Sequence, residues 1–137
     1  MALLDFTVDS SIEELESIAD QVDSVAERRG WSQKAVFALQ VALDEWVSNV
    51  LKYSYDNANQ TPIRVIIDEK DGELVAKVID FGAPFDPSTA AVPGSLDDTL
   101  SGKREGGMGL FVMHHLLCGM NFERTNNQNT VTMRVKL

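Results

Sequence analysis

The sequence predicts an α+β fold: a two-layer α/β sandwich in which one mixed, mostly antiparallel sheet is covered on one face by three helices. Two observations carry that expectation. Segments of two-residue periodicity occur in hairpin pairs, at 63–80 and at the carboxyl end, and two long segments near the amino end carry helical periodicity. The resulting order, β-α-α-β-β-loop-α-β-β, places strands and helices in separate runs, which favours an antiparallel sheet with its helices gathered on one side.

Residues 3–9, LLDFTVD, alternate loosely and read as a short strand. Ser10 and Glu13 have the spacing of a capping box, and Glu13, Glu14 and Glu16 lie near the positive end of a helix predicted over 11–29. Arg28 and Arg29 precede Gly30 at its negative end. Ser32 is placed to cap a second helix, with Trp31 able to staple against Val36. Its apolar residues Val36, Leu39, Leu43, Trp46, Val47 and Val50 recur at steps of three and four to about Ser54. Asn57, Asn59 and Pro62 end the pattern. The runs IRVIIDE (63–69) and ELVAKVID (73–80) flank Lys70-Asp71-Gly72 and read as a β-hairpin. Residues 86–105 have no sustained periodicity and hold two prolines and two glycines; so long a loop inside one domain is usually functional, here a lid. A third helix is expected after Gly109. The chain closes on a hairpin in which Val131, Met133, Val135 and Leu137 alternate with Thr130, Thr132, Arg134 and Lys136.

The 137 residues, 44% hydrophobic and 24% charged, fit one domain built on a single core. A net charge of −9 argues against nucleic acid and anionic membranes, which need clustered Lys and Arg. Cys118 is the only cysteine, so no intrachain disulfide can form. No apolar run approaches a membrane span or a signal peptide, and the cytoplasm is the expected location.

Three short motifs carry chemistry. In DEWVSNVLKYSY (44–55), Glu45 and Asn49 lie one turn apart, off the centre of the oily stripe, on a face shared with Ala38 and Ala42. The small alanines leave room above the helix for a hydroxyl and a hard cation; an ordinary solvated polar pair is the plain alternative. In DFGAPFDP (80–87), Asp80 ends a strand and Gly82 follows. A carboxylate there can accept from an exocyclic amine, and a glycine lets backbone approach a flat ring; a simple strand-to-turn exit explains the same letters. In EGGMGLFVMHHLL (105–117), Gly106, Gly107 and Gly109 open a helix, where free N–H groups form an anion site, or merely a flexible cap. Adjacent His114 and His115 face different ways and are poor joint metal ligands, with one packed and the other solvated. Cys118 reads as a small core residue rather than a nucleophile.

Taken together and in this order, E-x-x-x-N on a helix, D-x-G after a hairpin, a variable loop and G-G-x-G-L opening a helix resemble the GHKL (Bergerat) ATP-binding superfamily. Within it, ALDEWVSNVLKYSY, DFGAPFDP and EGGMGLFVMHHLL look like the anti-sigma-factor serine kinases of bacterial partner switching, across residues 5 to 137. The resemblance implies ATP and Mg²⁺ as cofactors. It implies Asn49 as the Mg²⁺ ligand and Glu45 as general base on an attacking serine hydroxyl. Asp80 would bind the adenine amine with Gly82 beneath the ring, and Thr130 would support Asp80 through a hydroxyl or water. Gly107, Met108, Gly109 and Leu110 would surround the phosphates, Phe85 would join the nucleotide-binding set, and Lys52, Lys103 and Arg104 would neutralise phosphate charge.

The implied activity is phosphorylation of a small STAS-domain antagonist, with sequestration of a sigma factor and a homodimeric assembly. A nucleotide-gated regulator without significant turnover is the alternative. Two departures from that family are visible. Tyr53 stands where such kinases commonly carry histidine. The first half of helix one, SSIEELESIADQVD, is purely acidic where sigma-binding members tend to carry basic residues.

Overall fold

Two helices and five strands are laid out in the computed structural model, which describes residues 2–9, 13–51, 62–82 and 115–137. Strand β1 is Leu4–Val8, helix α1 Glu14–Arg29 and helix α2 Gln33–Asn49. Strands β2 (Ile63–Lys70), β3 (Glu73–Asp80), β4 (Gly119–Thr125) and β5 (Gln128–Lys136) follow. The strands form one sheet in the order β1-β2-β3-β5-β4. All four pairings among the described residues are antiparallel, in keeping with the expected mostly antiparallel sheet. The reason lies in the connections. A single helix after β1 would return the chain to start a parallel strand, whereas two antiparallel helices bring it back to the end where β1 finished, and β2 must run the other way. Of the other three pairs, β2–β3 and β5–β4 are hairpins.

Local chemistry sets the element ends. Gly30 takes φ 68°, with its N–H and that of Trp31 both returning to the carbonyl of Ala26, a left-handed stop for which glycine carries no Cβ penalty. Ser32 caps α2, its hydroxyl accepting from the Ala35 amide at 3.2 Å. Asp71 and Gly72 take φ 53° and 77°, and Asn126 and Asn127 take 54° and 62°. Both hairpins therefore close on two-residue turns of the type whose twist matches the strands. Among the described residues α1 begins at Glu14, and Glu13 makes no side-chain cap. Ser10 lies outside the described residues, as do positions 52–54 at the predicted end of α2, the loop 86–105 and the start of the third helix, of which only His115 and Leu116 are described as helical.

The core lies between the helices and one sheet face. Ile63, Val65 and Ile67 from β2, Leu74, Ala76 and Val78 from β3, and Val131, Met133 and Val135 from β5 are all buried there. Ile18, Val22 and Val25 of α1 and Leu39, Leu43, Trp46 and Val47 of α2 cover them. The opposite face carries polar side chains, including the Arg64–Asp5 pair at 2.6 Å. No described helix is long and apolar enough to cross a membrane. Leu39 is fully buried at the centre of this layer. Leu39→Ala is expected to cost about 2–5 kcal/mol, a sizeable part of the stability of a small domain, read as a lowered denaturant midpoint at unchanged slope.

Ala38 borders only the groove at the far end of β5, and Ala42 opens no space above α2. They are buried at 5% and 0% exposure, and their small side chains form part of the core. Cys118 is likewise not a core residue: it is exposed, its thiol donating to Glu73 at 2.9 Å. The hydrogen bond to that carboxylate pushes the thiol pKa up, which disfavours the reactive thiolate. His115 is exposed, and His114 lies outside the described residues.

Candidate functional site

Strand directions bring the described motif residues to one end of the sheet. Ala35 and Ala38, in the first half of α2, share a groove with Val135, Lys136 and Leu137 at the far end of β5. The helix advances about 1.5 Å per residue from there, so its last turns lie toward the start of β5. Asn129 stands at that end, paired with Asp80 at the end of β3. Glu45, Asn49, Asp80 and Gly82 are thus gathered at one end of the helix–sheet layer.

Glu45 and Asn49, four residues apart, occupy one side of α2. Glu45 is half-buried, while Asn49 is only 6% exposed and its Nδ2 finds no hydrogen-bond partner among the described residues. An unpaired buried amide costs about 1–3 kcal/mol, and such groups in native proteins are accounted for by function or by a bound water or ion. Val50 and Leu51 continue the helix with wider, π-type hydrogen bonding directly after Asn49. Among the described residues no three His, Cys, Asp or Glu side chains gather as a metal cluster.

Asp80 is 1% exposed on the core face of β3, in line with Val78, Ala76 and Leu74. Its Oδ1 accepts from the Gly82 amide at 3.0 Å and from Asn129 Nδ2 at 2.8 Å. Burial pushes the Asp80 pKa above the usual carboxylate value, opposed by the Asn129 and Gly82 hydrogen bonds and by the charge of Arg124. Arg124 Nη1 donates to the Gly82 carbonyl at 2.8 Å and to Asn129 Oδ1 at 3.0 Å. Asn129 Nδ2 also reaches the Gly82 carbonyl at 3.4 Å. The turn after β3 is therefore pinned by two neighbouring strands.

Support for Asp80 comes from Asn129, not from Thr130. Thr130 pairs with Ile79 and belongs to the opposite face of the sheet, because successive strand residues alternate sides. Asn129 and Arg124 were the residues that sequence reasoning missed. The signal was present: the inward series Val135, Met133, Val131 continues to position 129, and counting back across the Asn126-Asn127 turn pairs 129 with 124. Lys52, Phe85, Lys103, Arg104, Gly107, Met108, Gly109 and Leu110 lie outside the described residues.

Comparison with known proteins agrees with this architecture. A family profile described as "Histidine kinase-like ATPase domain" matches residues 8–135. The serine/threonine-protein kinase BtrW of Bordetella bronchiseptica is 26% identical over 112 residues, covering 82% of this chain and 78% of that protein. The serine-protein kinase RsbW of Staphylococcus aureus is 26% identical over 118 residues, covering 83% and 74%. For RsbW of Listeria innocua the figures are 27% over 99 residues, 70% of this chain and 63% of that protein, less than two thirds of its length. Among solved structures, the RsbU and RsbW domains of Rv1364c from Mycobacterium tuberculosis superpose with a TM-score of 0.70 at 19% identity, over 98% of this chain and 32% of that one. At that identity the likeness speaks for the fold. Since the family profile spans nearly the whole sequence, this chain belongs to the histidine kinase-like ATPase family.

Proposed function

We propose that the chain is a serine-protein kinase that uses Mg²⁺ and ATP, phosphorylates a small STAS-domain antagonist and, when free of it, sequesters a sigma factor. The carrying observation is a buried Asp80 held through its Oδ1, at the same end of the layer as Glu45 and Asn49, whose buried Nδ2 has no partner among the described residues. The cytoplasm is the compartment for such partners, and a homodimer is the proposed assembly.

The residues fit the ligands. A buried carboxylate, which can accept through both oxygens, matches the exocyclic amine of adenine, a donor. Since no His, Cys, Asp or Glu cluster gathers among the described residues, a cation would take the Asn49 amide oxygen and complete its shell from phosphates and water, the habit of Mg²⁺. When bound, Mg²⁺ supplies charge neutralisation along the phosphates. Glu45 accepts the proton of the attacking serine hydroxyl as the phosphorus–oxygen bond forms and the bond to the leaving diphosphate breaks. Asp80 and Gly82 fix the base and thereby the line of attack. By likeness to the family, Gly107, Met108, Gly109 and Leu110 supply backbone around the phosphates and Phe85 contacts the nucleotide. Lys52, Lys103 and Arg104 offset its charge, and residues 86–105 close over it as a lid.

The test is incubation with the STAS-type antagonist encoded nearest to its gene and γ-labelled ATP. Phosphoserine on the antagonist supports the reading. Absence of phosphoserine under conditions where ATP binds would defeat it and leave a nucleotide-gated binding protein.

A further inference from the structure

Three side chains from three adjacent strands form a row on the core face at the nucleotide end: Asp80 on β3, Asn129 on β5 and Arg124 on β4, each directly opposite the next in register. They are joined in series, Arg124 Nη1 to Asn129 Oδ1 at 3.0 Å and Asn129 Nδ2 to Asp80 Oδ1 at 2.8 Å. Asp80 and Asn129 are each 1% exposed. The direction of this relay is fixed by chemistry. A guanidinium has five donors and no acceptor, so it must meet the oxygen of the Asn129 amide. The NH₂ group is then turned toward Asp80 and toward the Gly82 carbonyl.

The alternative arrangement is a protonated Asp80 whose hydroxyl donates. In that state Oδ1 is a neutral carbonyl oxygen that still accepts from Asn129 and Gly82, but those bonds lose their charge assistance and the guanidinium loses the negative charge it faces through Asn129. Arg124 penalises that state. It also holds the Gly82 carbonyl at 2.8 Å, which keeps the Gly82 amide beside Oδ1.

We propose that Arg124, acting through Asn129, holds Asp80 as a hydrogen-bond acceptor and so makes the site select a 6-amino purine over a 6-oxo purine. Arg124 is in this sense a positioning residue, remote from the base itself. The inference rests on the nucleotide-site reading above. It adds that the selectivity is set from the outermost strand, β4.

The experiment is calorimetric measurement of Kd for Mg-ATP and Mg-ITP on the full chain, wild type and Arg124→Met and Arg124→Lys variants. ITP replaces the amino donor by a carbonyl acceptor at the same ring position. Wild type should prefer ATP. Arg124→Met, which keeps the aliphatic stem, should narrow the ATP:ITP preference by at least about tenfold, the scale of one charge-assisted hydrogen bond. Arg124→Lys, also a pure donor, should restore most of it, which a loss of packing alone would not predict. An unchanged ratio in Arg124→Met, or no recovery in Arg124→Lys, overturns the proposal while leaving nucleotide binding intact. Failure of wild type to bind either nucleotide removes the underlying reading and this proposal with it. Should Arg124→Met not fold, nucleotide-free wild type gives the answer by NMR. Both Asn129 side-chain amide protons should be protected from exchange, and a freely rotating amide contradicts the relay.

Discussion

Glu45→Gln is expected to lower phosphoryl transfer to the antagonist by about 10²–10⁴, the usual contribution of a positioned general base, while Mg-ATP affinity stays within a few-fold of wild type. Glutamine keeps the size and hydrogen-bonding reach of the side chain but cannot take up the serine proton. Glu45 is half-buried on α2 and is not among the core residues, so the fold should be little affected. Single-turnover phosphorylation, set beside nucleotide binding measured on the same preparation, separates the two quantities. A variant that binds normally and transfers normally would remove Glu45 from the chemistry.

Asp80→Asn should produce the other large effect, with opposite signs on binding and stability. The amide keeps an oxygen for the Gly82 amide and Asn129, but it places NH₂ where Oδ2 stands, against the amino group of adenine. Loss of a charged hydrogen bond and creation of a buried mismatch together predict a fall in ATP affinity of about 10²–10⁴. Stability should move the other way. Burial raises the folded-state pKa of Asp80, so the folded protein holds this proton more tightly than the unfolded chain does. The ionised side chain therefore weakens the fold progressively as pH rises from the unfolded value, about 4, through the raised folded one. Removing the charge should raise the melting temperature of the nucleotide-free protein at neutral pH, with the gain shrinking toward pH 4. A variant less stable at neutral pH would show that the hydrogen bonds to Asp80 outweigh its desolvation.

Periodicity made most of the fold legible. The stripe from Val36 to Val50 and the alternation in IRVIIDE, ELVAKVID and TVTMRVK report a buried face directly, and Asp-Gly between two apolar runs fixes a hairpin. Side-chain burial on α2 was misread at Ala38 and Ala42. Alanine is compatible with an open face and with close helix–sheet contact, and only the sheet beneath decides between them. The partners of Asp80 depended on register. A shift of one residue exchanges Asn129 for Thr130 and moves the supporting group to the other side of the sheet. Arg124 drew no notice because nothing local distinguishes it; its role arises only when β4, β5 and β3 lie side by side.

The central claim is that one end of the helix–sheet layer binds Mg-ATP, and its most direct test is amide NMR during titration with Mg-ATP. Saturating shifts should appear at 45–51, 80–82, 124 and 129, one site per chain, with the outer sheet face around Arg64 and the groove between Ala35 and Val135 unmoved. No saturating shifts, or shifts confined to that outer face or groove, would contradict it.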